Sequence, residues 1–371
     1  MPHVLRAGID IHQVGARQTG NETYITNVLQ ALVENPHDNI ELVLYHTARN
    51  PVRTWPAEYR RVRPKAALLR IPLGFPVVLA RDQIDVAQFQ YVVPPICPCP
   101  SVVVVHDISF EDHPDYFSKV QRARLRVSTP LSIARSAAVL TISEYSRQEI
   151  IKKYRIAPER VFVTYGAASD EFYPLNVQAQ DSRLRELNLP PRFILAVGNL
   201  QPRKNLERLV AAYSRVRRGG LDLPALVLVG QPHFRGHQII QRIMSGDDGG
   251  RVVNTGYVTT QQLAALYSRA DAFVYPSLYE GFGLPILEAM ACGTPVLAGN
   301  NTSMPEVAGA AAELVDSHDE LSIAEGIARI MGNDSRRQEL RALGRLRAAE
   351  FSWRAAADVT VDVWNRVAKN R

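Results

Sequence analysis

Residues 275–296 read Tyr-Pro-Ser-Leu-Tyr-Glu-Gly-Phe-Gly-Leu-Pro-Ile-Leu-Glu-Ala-Met-Ala-Cys-Gly-Thr-Pro-Val, and this stretch decides the fold. The apolar run Ala272–Tyr275 leads into it and predicts a buried strand. Pro285 suits the first turn of a helix, and Gly293 suits its C-terminal stop. The stretch therefore predicts a strand, a glycine-containing loop and a helix, which together form one βα unit of a parallel sheet.

The same alternation of short apolar runs and helical patterns extends in both directions along the chain. In the first half the predicted strands are Val4–Ile9, Glu41–His46, Val86–Phe89, Val102–His106, Val139–Ser143 and Val161–Tyr165. In the second half they are Phe193–Gly198, Ala225–Val229, Val252–Thr255, Ala272–Tyr275, Val296–Ala298 and Ala312–Val315. An α/β protein with two doubly wound, Rossmann-like domains is expected, with the strand ends facing across one cleft.

A polar, proline-marked segment without an apolar strand separates the two series. We predict a first domain over residues 1–172, a linker over 173–190 and a second domain over 191–352. Residues that follow the predicted strands, such as Gly20, His106 and Gly230, are where ligands bind in open α/β sheets.

Composition predicts a soluble globular protein. The chain has 371 residues, of which 46% are hydrophobic and 22% charged, and this length accommodates two domains. The N-terminal sequence lacks a basic segment followed by an apolar one, and no run approaches the roughly 20 apolar residues of a membrane span. We therefore expect a cytoplasmic enzyme.

Three cysteines argue against a disulfide framework. Cys97 and Cys99 flank a proline, and their spacing is too tight for a usual zinc pair. Cys292 is expected to be a small buried residue.

The net charge is +6, and two local clusters of basic residues stand out in the first half of the chain. One cluster comprises Arg49, Arg53, Arg60, Arg61, Arg63, Lys65 and Arg70, and a second comprises Lys119, Arg122, Arg124 and Arg126. The clusters indicate either a solvated basic face or a surface that meets anionic lipid headgroups or a phosphorylated acceptor. Nucleic acid is not an expected partner, because no recognition-helix or RNA-binding sheet signature accompanies the charge.

The glycine loop of residues 281–284 predicts an anion site, because backbone amides at a helix N-terminus point toward the ligand. Glu288 lies about one turn into the helix, where its carboxylate can accept hydrogen bonds from ribose hydroxyls. Glu280 precedes the loop, on the side where a transferred sugar would lie. An isolated pair of this kind would be read as surface or capping residues, but here the whole string matches a nucleotide-sugar site.

This string resembles the E-x7-E signature of glycosyltransferase family 4, whose members are retaining enzymes of the GT-B fold. The resemblance extends over residues 197–205, 229–230, 256–258, 301–307 and 351–353, and more patchily over 141–146 and 165–166. It implies an acceptor-side first domain and a second domain that binds the nucleotide sugar. It also implies that a terminal helix over residues 353–371 packs back on the first domain.

The resemblance assigns roles to individual residues of the second domain. Lys204 is similar to the lysine that holds the donor diphosphate, where an ammonium offsets the charge on the leaving group. Family members often have an arginine where this chain has Asn199, and Arg203 is the natural substitute, with a solvent-facing helix start as the alternative. The expected donor-binding residues are Gly20, Asn21, Arg203, Lys204, Gly230, Tyr257, Val258, Glu280, Gly281, Phe282, Gly283, Leu284 and Glu288.

The first domain contributes fewer candidates. His106 resembles the strand-end histidine expected near the reacting sugar, although a lone histidine after an apolar strand is more often structural. Gly20 and Asn21 resemble the end of a glycine loop over the diphosphate. His106, Lys204 and Glu280 are the expected catalytic residues.

The predicted activity is retaining hexose transfer from a nucleotide sugar to a hydroxyl of a saccharide or lipid-linked saccharide. GDP-mannose is the favoured donor, because the motifs at Pro202–Asn205 and at His106 and Asp107 resemble bacterial polysaccharide mannosyltransferases. No Asp-x-Asp stands at a strand end, so neither a metal nor another cofactor is expected. The alternatives are a GT-B epimerase or phosphorylase and an inactive nucleotide-sugar-binding protein. A peripheral contact at the inner face of the cytoplasmic membrane remains open.

Overall fold

The computed structural model describes residues 4–15, 19–37, 39–49, 51, 53–246 and 251–369. The chain divides into two compact units. The first holds the described residues up to Asp112, the segment Lys119–Gly166 and the described residues from Ser352 onward. The second holds His113–Ser118 and Ala167–Phe351.

Parallel strands form one sheet in each unit. The first unit contains β1 (Leu5–Asp10), β2 (Ile40–His46), β3 (Glu58–Arg61), β4 (Val86–Gln90), β5 (Ser101–Val104), β6 (Ala138–Thr141) and β7 (Val161–Val163). The second contains β8 (Phe193–Val197), β9 (Ala225–Val229), β10 (Val252–Gly256), β11 (Ala272–Tyr275), β12 (Val296–Gly299) and β13 (Ala312–Val315). Their orders are β3-β2-β1-β4-β5-β6-β7 and β10-β9-β8-β11-β12-β13. In each sheet the strand order extends to both sides of the first strand, β1 or β8. Both sheets are therefore doubly wound and Rossmann-like.

Helices form most of the crossover connections between the parallel strands. In the first half they are α1 (Thr19–Glu34), α2 (Ala67–Leu69), α3 (Phe75–Arg81), α4 (Ser109–Asp112), α5 (Lys119–Arg135) and α6 (Glu144–Tyr154). In the second half they are α7 (Val177–Leu184), α8 (Leu206–Arg218), α9 (Gly236–Ser245), α10 (Thr260–Arg269), α11 (Leu284–Ala291), α12 (Met304–Ala308), α13 (Glu320–Met331), α14 (Asp334–Ala349) and α15 (Trp353–Lys369). Throughout the described part of the chain, the helices are too short or too polar to traverse a bilayer.

The two faces of the first sheet carry different helices. The path from β1 through α1 to β2 runs one way across the sheet, and the paths through α3, α5 and α6 run the other way. Because parallel crossovers are right-handed, α1 lies on one face, and α3, α5 and α6 lie on the opposite face. The terminal helix α15 packs on α1, and the indole Nε1 of its buried Trp364 donates to Gln88 Oε1 at 3.0 Å. Residues 370–371 of the predicted terminal segment lie outside the described residues.

The segment predicted as a linker contains a helix. Asn176 caps α7 by accepting from the Ala179 amide at 2.9 Å, and α7 packs on α10. Residues 177–184 therefore belong to the body of the second unit, because α7 covers part of that unit's surface. The N-terminal half also contains a strand that was not predicted, β3, whose sequence Glu-Tyr-Arg-Arg lacks apolar character.

Candidate active site

The candidate site lies where the second sheet reverses its direction. Strand β8 pairs with β9 on one side and with β11 on the other, so the loops after β8 and β11 diverge at this point. Ligands of open α/β sheets bind at such a point. A turn of 3₁₀ helix, Pro202–Lys204, follows β8, and Glu280 follows β11.

Lys204 is a buried cation at this point. Its Nζ donates to Glu280 Oε1 at 2.6 Å and to the Tyr275 hydroxyl, and it lies 4.5 Å from the centre of the Tyr275 ring. Burial lowers the pKa of Lys204 to about 8, although the neighbouring Glu280 carboxylate acts in the opposite direction. The ammonium is thus held at one position by an anion and a phenol.

Glu280 is the buried anion that pairs with Lys204. Its other oxygen, Oε2, accepts from Arg203 Nη1 at 2.6 Å, and the same Nη1 donates to the Tyr279 carbonyl at 2.9 Å. Burial alone would raise the pKa of this carboxyl, but Arg203 and then Lys204 outweigh it and bring the pKa to about 2. Glu280 is therefore ionised at neutral pH, with a cation on each oxygen.

Gly198, at the end of β8, allows Lys204 to reach this position. Its φ is +148°, and a Cβ at residue 198 would lie 2.9 Å from Lys204 Cε. Gly230, which follows β9, is equally constrained, because its Cβ would lie 2.0 Å from the Gly198 carbonyl oxygen. Both strand-end glycines are explained by close packing around the lysine and its loop.

The glycine loop is held in place from the next βα connection. Gly283, with φ +105°, directly precedes α11. The Ser303 hydroxyl lies 2.8 Å from the Glu280 carbonyl oxygen and 2.9 Å from that of Phe282, and it can donate to either. Pro285 has no N–H and the Ile286 amide donates to the Gly283 carbonyl at 2.9 Å, so the N–H group that the first residues of α11 can offer to an anion is that of Leu284.

Glu288 lies on α11 and is half-buried. Its Oε2 accepts from the Tyr267 hydroxyl at 3.1 Å. Burial raises the pKa of Glu288 to about 7, although the Tyr267 hydrogen bond and the charge of Lys204 both act to lower it. The E-x7-E pair thus consists of one carboxylate that is ionised at neutral pH and one that titrates there.

Family models match both halves of the chain. Residues 19–171 match the model described as Glycosyltransferase Family 4, and residues 178–347 match Glycosyl transferases group 1. The O-antigen chain mannosyltransferase B of Escherichia coli is 34% identical over 265 residues, which cover 71% of this chain and 70% of that protein. This chain belongs to glycosyltransferase family 4.

Another relative has the same kind of similarity, and solved structures show which fold the chain has. The serotype-specific mannosyltransferase WbdA of Escherichia coli is 31% identical over 73% of this chain, which spans only 34% of that longer protein. Sucrose-phosphate synthase from Thermosynechococcus elongatus superposes with a TM-score of 0.78 at 21% identity, covering 99% of this chain and 100% of that one. WaaG, described as a glycosyltransferase involved in lipopolysaccharide biosynthesis, has a TM-score of 0.73 at 15% identity, with coverages of 97% and 99%. These likenesses show that the chain has the GT-B fold.

The other predicted donor-binding residues of this glycosyltransferase lie along the same edge of the second sheet. Gly230 follows β9, and its amide donates to the Gly256 carbonyl at 2.8 Å. Tyr257 and Val258 follow β10, where Tyr257 is exposed and Val258 is buried. The structure thus groups Arg203, Lys204 and Glu280 in direct contact and places Gly230, Tyr257 and Val258 at the ends of neighbouring strands.

The remaining predicted site residues lie in the first unit. Gly20 and Asn21 form part of the first turn of α1, so they are not in a loop as predicted. His106 follows β5 and is buried between Tyr24 and Tyr91, with ring centres 5.0 and 5.8 Å away. Burial lowers the pKa of His106 to about 3, so its imidazole is neutral.

Several residues of the site gave no signal of their own in the sequence. Tyr275 lies in the decisive stretch, but its pattern there is that of a strand residue. Ser303 lies within residues 301–307, which the family resemblance covers without giving this serine a role, and Tyr267 lies outside the E-x7-E stretch. The roles of both follow only from tertiary contacts, with the loop and with Glu288 respectively. An isolated tyrosine within an apolar strand or helix is typical of core packing, which is why sequence reasoning missed Tyr267 and Tyr275.

The cysteines are free thiols in the structure. Cys97 Sγ and Cys99 Sγ lie 3.9 Å apart, and Cys292 is buried. Within the described residues, no three His, Cys, Asp or Glu side chains gather into a metal-binding group.

Proposed function

We propose that this glycosyltransferase transfers mannose from GDP-mannose, with retention of configuration and without a metal ion. The acceptor is a hydroxyl of a saccharide or lipid-linked saccharide, in the synthesis of a cell-surface polysaccharide. The observation that carries the proposal is the buried Lys204–Glu280 pair beside the N-terminus of α11 at the switch point of the second sheet.

The arrangement suits a diphosphate leaving group. Lys204 and the Leu284 amide at the start of α11 supply positive charge where the departing nucleoside diphosphate gains negative charge. Because this compensation comes from the protein, a divalent cation is not required in the proposed mechanism. Glu288 would accept hydrogen bonds from the ribose hydroxyls, and Glu280 would face the sugar.

The proposed reaction breaks the bond between the anomeric carbon and the β-phosphate oxygen, and the electron pair leaves with GDP. The acceptor oxygen attacks the same face of the oxocarbenium-like sugar, and its proton passes to the departing phosphate. This course needs no enzyme nucleophile, and Glu280 is unsuited to that role because Arg203 and Lys204 hold both of its oxygens.

The choice of mannose rests on the relatives. Both Escherichia coli proteins named above are mannosyltransferases by name, and the first aligns over most of its length. Guanine is proposed as the base on the same resemblance.

His106 is proposed to contact the sugar or the acceptor. Its Nε2 is buried and lacks a hydrogen-bond partner among the described residues, which is costly unless a ligand supplies one. Because the imidazole is neutral at working pH, it would donate or accept a hydrogen bond, and it would not act as a charged acid.

A peripheral contact with anionic lipid is proposed for the face of the first sheet that carries α2, α3 and α5. Leu68, Leu69, Leu73 and Val77 form an exposed apolar ridge, and Leu68 is 89% exposed. Exposed Arg61, Arg63 and Lys65 precede this ridge in the chain. On the same face, α5 exposes Val120, Val127 and Leu131 beside Arg124 and Arg135. Apolar groups flanked by cations are typical of a membrane-surface contact, which would place the enzyme at the inner face of the cytoplasmic membrane.

Arg60 and Arg70, two residues of the first basic cluster, do not belong to this surface. Arg70 is buried, and its Nη1 donates to the Lys65 carbonyl at 2.8 Å. Arg60 forms ion pairs with Glu58 and Asp82. Phe75, which the sequence placed in the apolar segment, is buried against Phe89 with ring centres 5.1 Å apart.

A donor screen tests the proposed function. Thermal unfolding is measured with GDP-, UDP-, ADP- and dTDP-sugars, and GDP-mannose is expected to give the largest stabilisation. Addition of EDTA is expected to leave both the stabilisation and transfer unchanged. Loss of transfer that magnesium or manganese restores would contradict metal independence, and stabilisation by a different nucleotide sugar would replace the donor.

A further inference from the structure

A short segment from the first half of the chain forms part of the second unit. Residues His113–Ser118 connect α4 to α5, both of which belong to the first unit, yet these six residues group with Ala167–Phe351. Their 3₁₀ turn, Pro114–Tyr116, packs on the turn Pro202–Lys204 that carries Arg203 and Lys204.

Three aromatic rings, those of Tyr116, His113 and Tyr279, are in contact as a result. The His113 and Tyr116 rings stack nearly parallel, with centres 4.9 Å apart at 9°. The His113 ring meets the Tyr279 ring at 5.2 Å and 61°. Tyr279 directly precedes Glu280 in the chain, and its carbonyl accepts from Arg203.

Tyr116 lies close enough to the Arg203–Glu280 pair to be affected by its charge. Burial raises the pKa of Tyr116, Arg203 acts to lower it, and Asp115 and Glu280 act to raise it further. The phenol is therefore neutral at working pH. The Tyr116 residue is half-buried, and its hydroxyl forms no hydrogen bond within the described ranges, so the phenol can serve a bound molecule.

We propose that Tyr116 contacts the transferred sugar and helps to select it, with His113 positioning the Tyr116 ring. The inference deepens the proposed function and rests on it, because it places the sugar beside Glu280. Aromatic rings line sugar-sized sites with their faces, and a phenol adds one hydrogen bond that depends on the orientation of a sugar hydroxyl. A polar group such as the Tyr116 hydroxyl can distinguish epimeric sugars when only the correct epimer forms a hydrogen bond with it.

The test compares binding of the nucleotide alone with binding of the nucleotide sugar. Tyr116→Phe keeps the ring and removes the hydroxyl, so GDP should bind unchanged while kcat/KM for GDP-mannose falls by about 3- to 10-fold. The preference for GDP-mannose over GDP-glucose should shrink by a similar factor. His113→Ala should reproduce part of the loss, and His113→Phe should restore it because a ring is again present.

Tyr173→Phe is the matched control, since Tyr173 is an exposed tyrosine of the same unit. If Tyr116→Phe leaves donor preference and kcat/KM unchanged, or weakens GDP and GDP-mannose equally, the inference is overturned while the proposed function stands. If the unaltered enzyme binds no nucleotide sugar at all, the proposed function fails, and this inference fails with it.

Discussion

Lys204 and Glu280 are opposite charges that are both almost fully buried. Taking two such groups out of water is costly, and a buried pair of this kind is weak evidence for stability. The second cation, Arg203, and the Tyr275 hydroxyl satisfy the remaining hydrogen bonds. We infer that the cluster serves chemistry more than stability, since under the proposed function its ammonium would meet the diphosphate of the donor.

Lys204→Ala should lower turnover by about 100-fold or more, because the cation stabilises charge that builds on the leaving group. The Michaelis constant for the donor should change less, since that charge is largest in the transition state. Steady-state kinetics with the donor chosen by the screen provide the measurement. Arg215→Ala, which removes an exposed cation from α8 of the same unit, is the control, and near-normal turnover of the Lys204 variant would sink the assignment.

Glu288 should impose a pH dependence on donor binding. Its folded pKa of about 7 means that the carboxylate able to accept from ribose hydroxyls forms only as the pH rises through neutrality. Affinity for GDP-mannose, whose diphosphate does not titrate near neutral pH, should therefore increase from pH 6 to pH 7, a range in which Lys204, with a pKa of about 8, stays mostly protonated. Glu288→Gln should flatten this profile and lose about 1.5–3 kcal/mol of donor binding at pH 8.

Glu288 should also make the free energy of unfolding depend on pH, in a predictable direction. Because folding raises the pKa of Glu288 above its ordinary value of 4.5, its contribution to stability is full below pH 4.5 and is lost as the pH rises through 7. Denaturant titrations of the ligand-free enzyme should show a decline over this window that Glu288→Gln lacks. Identical profiles for the two proteins would show that Glu288 does not titrate there.

At the scale of elements, β8 and the turn after it act together. Gly198→Ala should destabilise the second unit and lower turnover, because φ is +148° and the new Cβ would displace Lys204. Lys204→Ala removes the side chain that the new Cβ would meet. The double variant should therefore lose less stability than the sum of the losses of the two single variants. Gly220→Ala is the control for backbone strain alone, since its φ is +94° with nothing within 4 Å of the Cβ. Full additivity in the cycle would mean that the contact is unimportant.

Strand bounds could be predicted from the sequence for some strands and not for others. Ala225–Val229 and Ala272–Tyr275 were predicted with the bounds that the structure has, because these buried parallel strands are continuous apolar runs. The predicted bounds of Ala312–Val315 also match, although this edge strand includes the charged Glu313. Strand β3 was missed because it is an edge strand with three charged residues in four, a composition that protects sheet edges and disguises them.

The candidate site divides in the same way. Loop and helix signals single out Glu280 and Glu288 in the sequence, and Lys204 is named there only through the resemblance to the family. The lysine's contact with Glu280, the second cation on that carboxylate and the aromatic segment at His113–Tyr116 depend on residues distant in sequence. Local pattern carries no information about such pairings, so the structure was needed to find them.

At the scale of the whole molecule, the basic surface can be interpreted as a solvated face or as a lipid-contacting surface. The exposure of the ridge formed by Leu68, Leu69, Leu73 and Val77 bears on this choice. If the apolar residues had been buried, the arginines would be ordinary solvated charges. The structure buries Phe75 and Leu79 but leaves these four side chains exposed, with Val77 at 67%. Under the proposed function, this exposed apolar ridge and the cations beside it would together meet an anionic lipid surface.

The enzyme should therefore sediment with anionic vesicles at low salt and be released at high salt. Each cation near an anionic surface contributes about 1 kcal/mol, so replacing Arg61, Arg63 and Lys65 by glutamine should weaken binding by about 100-fold. Replacing Leu68, Leu73 and Val77 by serine should also release the protein, through loss of apolar burial at any salt concentration. The matched control replaces the exposed Val177 and Leu346 of the second unit by serine and should bind as the parent does. If the parent stays in the supernatant with anionic vesicles at low salt, the membrane contact is wrong and a soluble acceptor is the better proposal.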